Sequence, residues 1–366
     1  MNPLVSMRLK LRDRLLRFYT DDLVRISRRR RANQLLAMKR AHRKPLSGSQ
    51  KQDIIDFWKP YRNISSELGW FEFYNQICQD SDQLKFYIPE SVYYSDIDTF
   101  FSNPRRAESM DDKNLYDLFF SNVRMPETIV RKTNGVLLDK EYQAITIQQA
   151  LDLCKSHGCV ISKKALTSGG GYGVYFIDFS TTTDEAFIEW LESAPDVNIQ
   201  EIIHQHDCLN QIHDKSVNSI RIMSLLLDGQ VHLLSSVLRM GRDGSQVDNA
   251  SGGGLSCGIQ SDGTLKEFAY DKTGARLSQH PQGAVFKGVK IVGYEKCCDI
   301  IRRHAGILSG VSRLMSWDFA IGSDGEPILI EVNLTYGGVT IHQMCNGPIL
   351  GDLTPDILSR VYQHSK

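Results

Sequence analysis

The stretch that most limits what this chain can fold into runs from Ser316 to Gly338 and reads SWDFAIGSDGEPILIEVNLTYGG. Two apolar runs flank Ser-Asp-Gly-Glu, and an Asp-Gly pair in that setting signals a β-hairpin. With Asp324 and Gly325 as a two-residue turn, Asp318 faces Glu331 across the strands, and Asn333 lies two residues further along the same face. Facing carboxylates repel by up to about 1 kcal/mol, so the pair calls for a cation between them. Carboxylate and amide oxygens suit a hard divalent ion such as Mg2+. The plain alternative is two acids on the wet face of a sheet. Against it, Trp317, Phe319, Ile328, Ile330 and Val332 make both runs almost continuously apolar, the pattern of a strand pair covered on both faces. An isolated acid there needs a compensating partner.

A chain of 366 residues exceeds one ordinary core, so two or three lobes are expected. Its 43 basic and 43 acidic residues balance, but residues 1–44 hold 14 Lys or Arg against three acids, leaving 29 basic and 40 acidic residues beyond. The basic head suggests contact with something anionic or with the acidic remainder. Within it, Arg28 to Arg31 read either as a solvated helix face or as a dock for anionic lipid or polysaccharide precursor. Eight cysteines without a C-x-x-C pair suggest neither a zinc ribbon nor a disulfide framework. Reduced thiols fit a cytoplasmic protein. No apolar run approaches the roughly 20 residues of a membrane span, and the N-terminus lacks a signal peptide's apolar core, although its Arg-rich, acid-poor make-up mimics a transit peptide.

Apolar residues at Met7, Leu11, Leu15, Phe18 and Leu23 have helical spacing, so residues 4 to about 44 are expected as one or two amphipathic helices. A linker-like break at Lys44–Ser49 precedes a second helical region, about 50–79, whose aromatics suit core packing. Asp111-Asp112-Lys113-Asn114 reads as a helix start. Beyond it the pattern becomes α+β: a hairpin over 129–138 with an Asn-Gly turn, a helix over 146–157 stopped by Gly158, strands at 159–163 and 174–179, a helix at 183–191 and a strand at 198–203.

Between two of these strands lies Ser168-Gly169-Gly170-Gly171-Tyr172-Gly173. It is not a phosphate loop of the Gly-Lys-Ser/Thr kind, but its backbone amides could close over phosphates with Lys163 as a point charge. A plain glycine hairpin would look the same. Arg239 and Arg242 flank a Gly-, Asp-, Asn- and Ser-rich loop over 241–258, too long to be ordinary. It reads as a mobile flap or as a disordered insertion.

Together these features resemble the ATP-grasp superfamily over roughly residues 111–353. Asp318, Glu331 and Asn333 match in order and spacing the metal triplet of ligases such as D-alanine–D-alanine ligase. The phrases DKNLYDLFF, PETIVRKTNG, SVNSIRI, VDNASGGG and LIEVNLTYGG are similar to the sugar-transfer-associated ATP-grasp family, and the similarity reaches FYIPESVYYSDI. The resemblance implies an ATP-grasp fold, two α+β lobes clasping ATP, behind a helical N-terminal region: residues 1–110, then lobes over 111–203 and 204–366. It implies that Lys113 and either Lys163 or Lys164 meet ATP, that Ser168, Gly169, Gly170 and Gly171 cover its phosphates, and that Gln200, Glu201 and Ile203 contact adenine. His206 or Asp207 would hold the ribose. Arg221 and Arg239 would approach the transferred phosphate and the reacting carboxylate, and the triplet would bind one or two Mg2+ ions, with Mn2+ an alternative.

The activity so implied is ATP- and Mg2+-dependent carboxylate–amine ligation through an acyl phosphate, joining a small or sugar-linked acid to an amine in surface polysaccharide assembly. Two rivals stand: a kinase of a sugar hydroxyl, and a non-catalytic nucleotide-binding partner of a glycosyltransferase. No nucleic acid is expected as a partner. A cytoplasmic location is expected, with peripheral membrane or glycosyltransferase contact through the basic N-terminus as an option.

Overall fold

The computed structural model describes residues 12, 22–39, 42–166, 173–242, 244 and 253–363. The chain forms two compact units, Met1–Arg105 with Thr335–Lys366, and Arg106–Leu334. The division departs from the expected one, because residues 335–366 belong with the N-terminal unit rather than with the hairpin of Asp318 and Glu331. Polar contacts inside that unit explain the grouping: Gln343 bonds both the N–H and the C=O of Ile88, at 2.8 and 2.9 Å, and Tyr362 donates to Asp96 at 2.6 Å.

The first unit is helical, with helices at Leu23–Met38, Gly48–Trp58, Leu68–Asn75, Val339–Asn346 and Thr354–Gln363. The linker-like break ends as a helix start, because Ser47 and Gln50 cap each other reciprocally. Trp58, Trp70, Phe71, Phe73 and Tyr74 are fully buried and form core, as their clustering suggested. The arginine run is neither wholly solvated nor wholly free to dock. Arg28 is buried, paired with buried Asp98 at 2.7 Å and stacked over the Tyr336 ring at 4.3 Å, and Arg29 binds Glu67 at 2.6 Å. Arg30 and Arg31 remain exposed. Most of the proposed helix before Leu23 lies outside the described residues.

The second unit carries two antiparallel sheets. Strands β1 Thr128–Thr133, β2 Val136–Leu138, β3 Cys159–Lys164, β4 Val174–Asp178 and β5 Val197–Glu201 form one, in the order β2-β1-β5-β3-β4. Asn134 and Gly135 both take positive φ, 49° and 78°, as the two-residue hairpin turn requires. Helices Ile147–Ser156 and Asp184–Ser193 cover one face, burying Ala150, Leu151, Phe187 and Leu191 against Val130, Val160, Val197 and Ile199.

The other sheet holds β6 Ser219–Leu227, β7 Gln230–Met240, β8 Leu255–Ile259, β9 Leu265–Tyr270, β10 Arg276–Leu277, β11 Leu314–Ile321 and β12 Pro327–Asn333, in the order β10-β9-β8-β7-β6-β11-β12. Helix Tyr294–His304 packs Cys297, Cys298 and Ile301 into one cluster with Ile220, Ile222, Trp317 and Phe319. Strand alternation therefore turns Arg221 and Asp318 to the opposite face. Residues 255–258, expected in the long loop, are instead the start of β8, and most of the remaining loop is outside the described residues. Among the described residues no helix is long and apolar enough to cross a membrane.

Candidate functional site

Asp318 of β11 does face Glu331 of β12, and Ser316 faces Asn333. The turn is not the expected two-residue one. Gly325 N donates to Gly322 O at 2.8 Å and Gly322 N to Glu326 O at 2.9 Å, and Gly325 has φ +79°, which is a three-residue loop closed by a left-handed glycine. The pairing Phe319 with Leu329 gives way to Asp318 with Glu331, leaving Ile330 as a bulge. The bulge absorbs the residue that the longer turn would have shifted. Without it both acids would face different neighbours.

Beside them β6 places Arg221 opposite Asp318, so that Arg221, Asp318 and Glu331 form one row across three strands. The Arg221 guanidinium grips Asp318 through two bonds, Nε to Oδ1 at 2.7 Å and Nη2 to Oδ2 at 2.5 Å. Arg239 of β7 adds a third at 3.2 Å. Asp318 is 3% exposed; burial pushes its carboxyl up and outweighs the arginines that oppose the shift. Glu331 takes another course. Burial pushes it up as well, but Lys113, Arg221 and Lys163 together hold it down at about 2. The Asn333 amide lies between the two acids, with Nδ2 at 3.5 Å from Asp318 Oδ2 and 3.4 Å from Glu331 Oε1.

Lys113 comes from the other sheet's side. Its N–H bonds Ala165 O at 3.1 Å and Asp112 bridges to Leu166, so residues 111–113 extend along the end of β3. The expected helix begins later, at Tyr116, since this backbone is bonded to a strand. Asn198 of β5 fastens the segment by donating to Asn114 Oδ1 at 3.0 Å. From there the Lys113 amine reaches Glu331 Oε2 at 3.2 Å. Burial lowers its pKa, but Glu331 and Asp111 overcome that and raise it. Lys113 stays charged.

Lys163 pairs with Asn198, and Gln200 with Ile161, so Lys163 and Gln200 share the sheet face opposite the helices. Lys164 pairs with Val197 of the helix-covered core, and its side chain leaves from the other face. Gln200 is buried, and its Oε1 has no hydrogen-bond partner among the described residues, an acceptor of the kind that a water or a ligand completes. Glu201 turns away, accepting from Glu127 N at 3.0 Å. Ile203 is partly buried beyond the strand. His206 already has a task, because its Nδ1 caps the short helix Asp207–Asn210 by accepting from Cys208 N. Ser168, Gly169, Gly170 and Gly171 lie outside the described residues.

Four residues escaped the sequence reading as parts of the site. Asp111 joins the site through its charge interactions with Lys113 and Glu331. Tyr116, 3% exposed, donates to Asp111 Oδ1 at 2.7 Å and lies 3.4 Å from Val332 O, while Asn114 and Asn198 brace the segment beneath. The only signal for Asp111 was its place two residues before Lys113, which brings both side chains to one side of an extended backbone. No group of three or more His, Cys, Asp and Glu among the described residues could hold a metal ion. Two carboxylates on one face, with an Asn333 amide whose half-turn would exchange its Nδ2 for its oxygen, fit Mg2+ better than a dedicated cage would, since that ion takes one or two carboxylates and fills the rest of its sphere with phosphates and water.

Comparison with curated protein sequences yields no match. Among solved structures, the ATP-grasp ligase PsnB complexed with precursor peptide PsnA2 and AMPPNP has TM-score 0.42 and 14% identity, over 71% of this chain and 62% of PsnB. D-alanyl-alanine synthetase A from Vibrio cholerae O1 has TM-score 0.41 and 12% identity, over 69% and 64%. An L-amino acid ligase from Bacillus licheniformis has TM-score 0.39 and 13% identity, over 70% and 48%. The chain thus spans less than two thirds of the length of each. The family model for sugar-transfer associated ATP-grasp proteins, in contrast, matches residues 96–357. With most of its length so matched, the chain belongs to the sugar-transfer associated ATP-grasp family.

Proposed function

We propose that this chain is an ATP- and Mg2+-dependent carboxylate–amine ligase working through an acyl phosphate, with an acid of a surface polysaccharide or its precursor, such as a uronic acid, as the carboxylate. The observation that carries the reading is the row Arg221, Asp318 and Glu331, with Arg239, Asn333 and Lys113 around it. Lys113, Lys163, Arg221 and Arg239 bring four cationic side chains to the acids, a charge pattern suited to a polyphosphate with its metal. Buried, pre-aimed charge is what phosphoryl transfer needs, because its barrier falls mainly through positioning and charge stabilisation.

The two sheets of the second unit serve as the two lobes. Lys113 and Lys163 would bind phosphates, the sheet face of Gln200 would take the adenine, and Ser168 to Gly171 would have the role of contacting the phosphates. Asp318, Glu331 and Asn333 would hold the metal, which supplies neutralisation of the developing phosphate charge. Arg221 and Arg239 are both bonded to Asp318, and their guanidinium groups would approach the acid and the transferred phosphate. The segment before β8, which begins at Leu255, would have the role of excluding water, which would otherwise hydrolyse the acyl phosphate. Arg30 and Arg31 are the exposed residues through which the basic head would meet a membrane or a glycosyltransferase.

The test is trapping. Incubated with ATP, Mg2+, glucuronate or galacturonate, and hydroxylamine, the protein is expected to release ADP and form a hydroxamate. ADP accompanied by a phosphorylated sugar and no hydroxamate would establish the kinase instead.

A further inference from the structure

The ligase reading leaves a chemical gap that the structure addresses. An amine meets the site as an ammonium ion, and it cannot attack an acyl phosphate until it loses a proton. The site's acids are unequal in this respect. Asp318 is held by Arg221 and Arg239, and Glu331 by Lys113. Asp111 has no ion-pair partner within 4 Å among the described residues; its one hydrogen bond is from the Tyr116 hydroxyl to Oδ1, which leaves Oδ2 open.

We propose that Asp111 receives the substrate ammonium and takes its proton, which makes it a catalytic residue of the amide-forming half-reaction. The proposal rests on the ligase reading. Tyr116 sets the position: buried in the core, its hydroxyl bonds Asp111 and touches Val332 O, the backbone between Glu331 and Asn333. Asp111 thus stands one hydroxyl away from the strand that carries the metal ligands. The groups that act on its charge are Lys113 and Asp112 from its own segment, Tyr116 from the helix that follows and Glu331 from β12. Burial lifts its carboxyl above the ordinary range against the pull of Lys113, which suits a base more than an ion-pair acid.

The step balances as follows. The ammonium gives one proton to Asp111, the free amine forms the N–C bond, and the C–O bond to phosphate breaks with its electron pair leaving on phosphate. The second nitrogen proton goes to that phosphate, so that amide, hydrogen phosphate and protonated Asp111 remain.

Hydroxylamine is uncharged at neutral pH and needs no such base. With glucuronate or galacturonate as the acid and either hydroxylamine or methylamine as the nucleophile at pH 7, Asp111→Asn is expected to lower amide formation relative to hydroxamate formation on the order of a hundredfold. Tyr116→Phe, which keeps the buried ring, is expected to lower the same ratio by a smaller factor. Raising the pH toward the amine's own pKa should restore the ratio in both variants. Equal loss of both products in Asp111→Asn would overturn the proposal and leave Asp111 as a support for Lys113. Absence of hydroxamate from the unaltered protein would overturn the ligase reading, and this inference with it.

Discussion

Asp318 is the residue on which the site turns, and its surroundings lead to two separable expectations. Asp318→Asn or Glu331→Gln should abolish ATP turnover by on the order of a hundredfold or more with the fold kept, as judged by ADP release and circular dichroism; unchanged turnover would refute their assignment as metal ligands. Arg221→Met should instead destabilise, because it strips the two-pronged partner from a carboxylate that is 3% exposed. Removing one member of a buried pair costs about 3 kcal/mol, readable by urea unfolding. Adding Asp318→Asn to Arg221→Met should recover part of that loss, and a strictly additive result would argue against the pairing. Of the two lysines on β3, Lys163→Ala should weaken ATP binding at least about tenfold while Lys164→Ala leaves it nearly unchanged, since only Lys163 shares the face of Gln200 and acts on Glu331. Equal effects in calorimetric titration with ATP would sink that distinction. A retained charge on either side chain does not blur the test, because alanine removes it.

Among the elements, the β11–β12 hairpin shows how a local motif can be right in kind and wrong in detail. Its acids meet because an extra turn residue and the bulge at Ile330 cancel. The turn is itself held from outside: a Cβ on Gly293, where φ is +75°, would lie 2.6 Å from Gly325 O. Gly293→Ala should therefore cost at least about 2 kcal/mol, from the left-handed backbone and the clash together, and should lower turnover by disturbing the register of Asp318 against Glu331. Gly135→Ala, at the solvent-open turn of β1 and β2 where nothing lies within 4 Å, carries only the backbone penalty of about 1 kcal/mol. If the two variants prove equally stable in thermal melts, the Gly325 contact has no weight.

At the scale of the whole molecule, the first unit carries a pH dependence that belongs to its core rather than to the site. Burial lifts the Asp98 carboxyl to about 6 against the opposing pull of Arg28, whereas an unfolded chain loses that proton near pH 4. Between those values the folded state binds more protons, so stability falls as pH rises across the window and levels off above it. The size is about 2–3 kcal/mol. Buried Glu90, also pushed up by burial, adds in the same sense. Asp98→Asn should flatten most of the slope in urea unfolding between pH 4.5 and 7; the same slope in the variant and the unaltered protein would show that Asp98 is not its source.

Local order was legible in the sequence wherever neighbouring residues dictate it. The Asn134-Gly135 turn, the helix ended by Gly158, the strands around the glycine segment and the existence of the β11–β12 hairpin follow from φ preferences, period and turn chemistry, which act over a few residues. The family resemblance is of the same kind, since it rests on contiguous phrases. What only the tertiary structure decided lies in contacts between distant segments. Asp111 enters the site because residues 111–113 extend beside β3, Lys163 is distinguished from Lys164 by which face the helices cover, and the charge facing Asp318 comes from β6 and β7. Arg28, in a run that reads as solvated, is buried because Asp98 waits for it 70 residues on. The cation that the hairpin demands is thus met in part by Arg221 and Lys113, since charge compensation depends on distance in space, and distance in space is what a linear pattern does not carry.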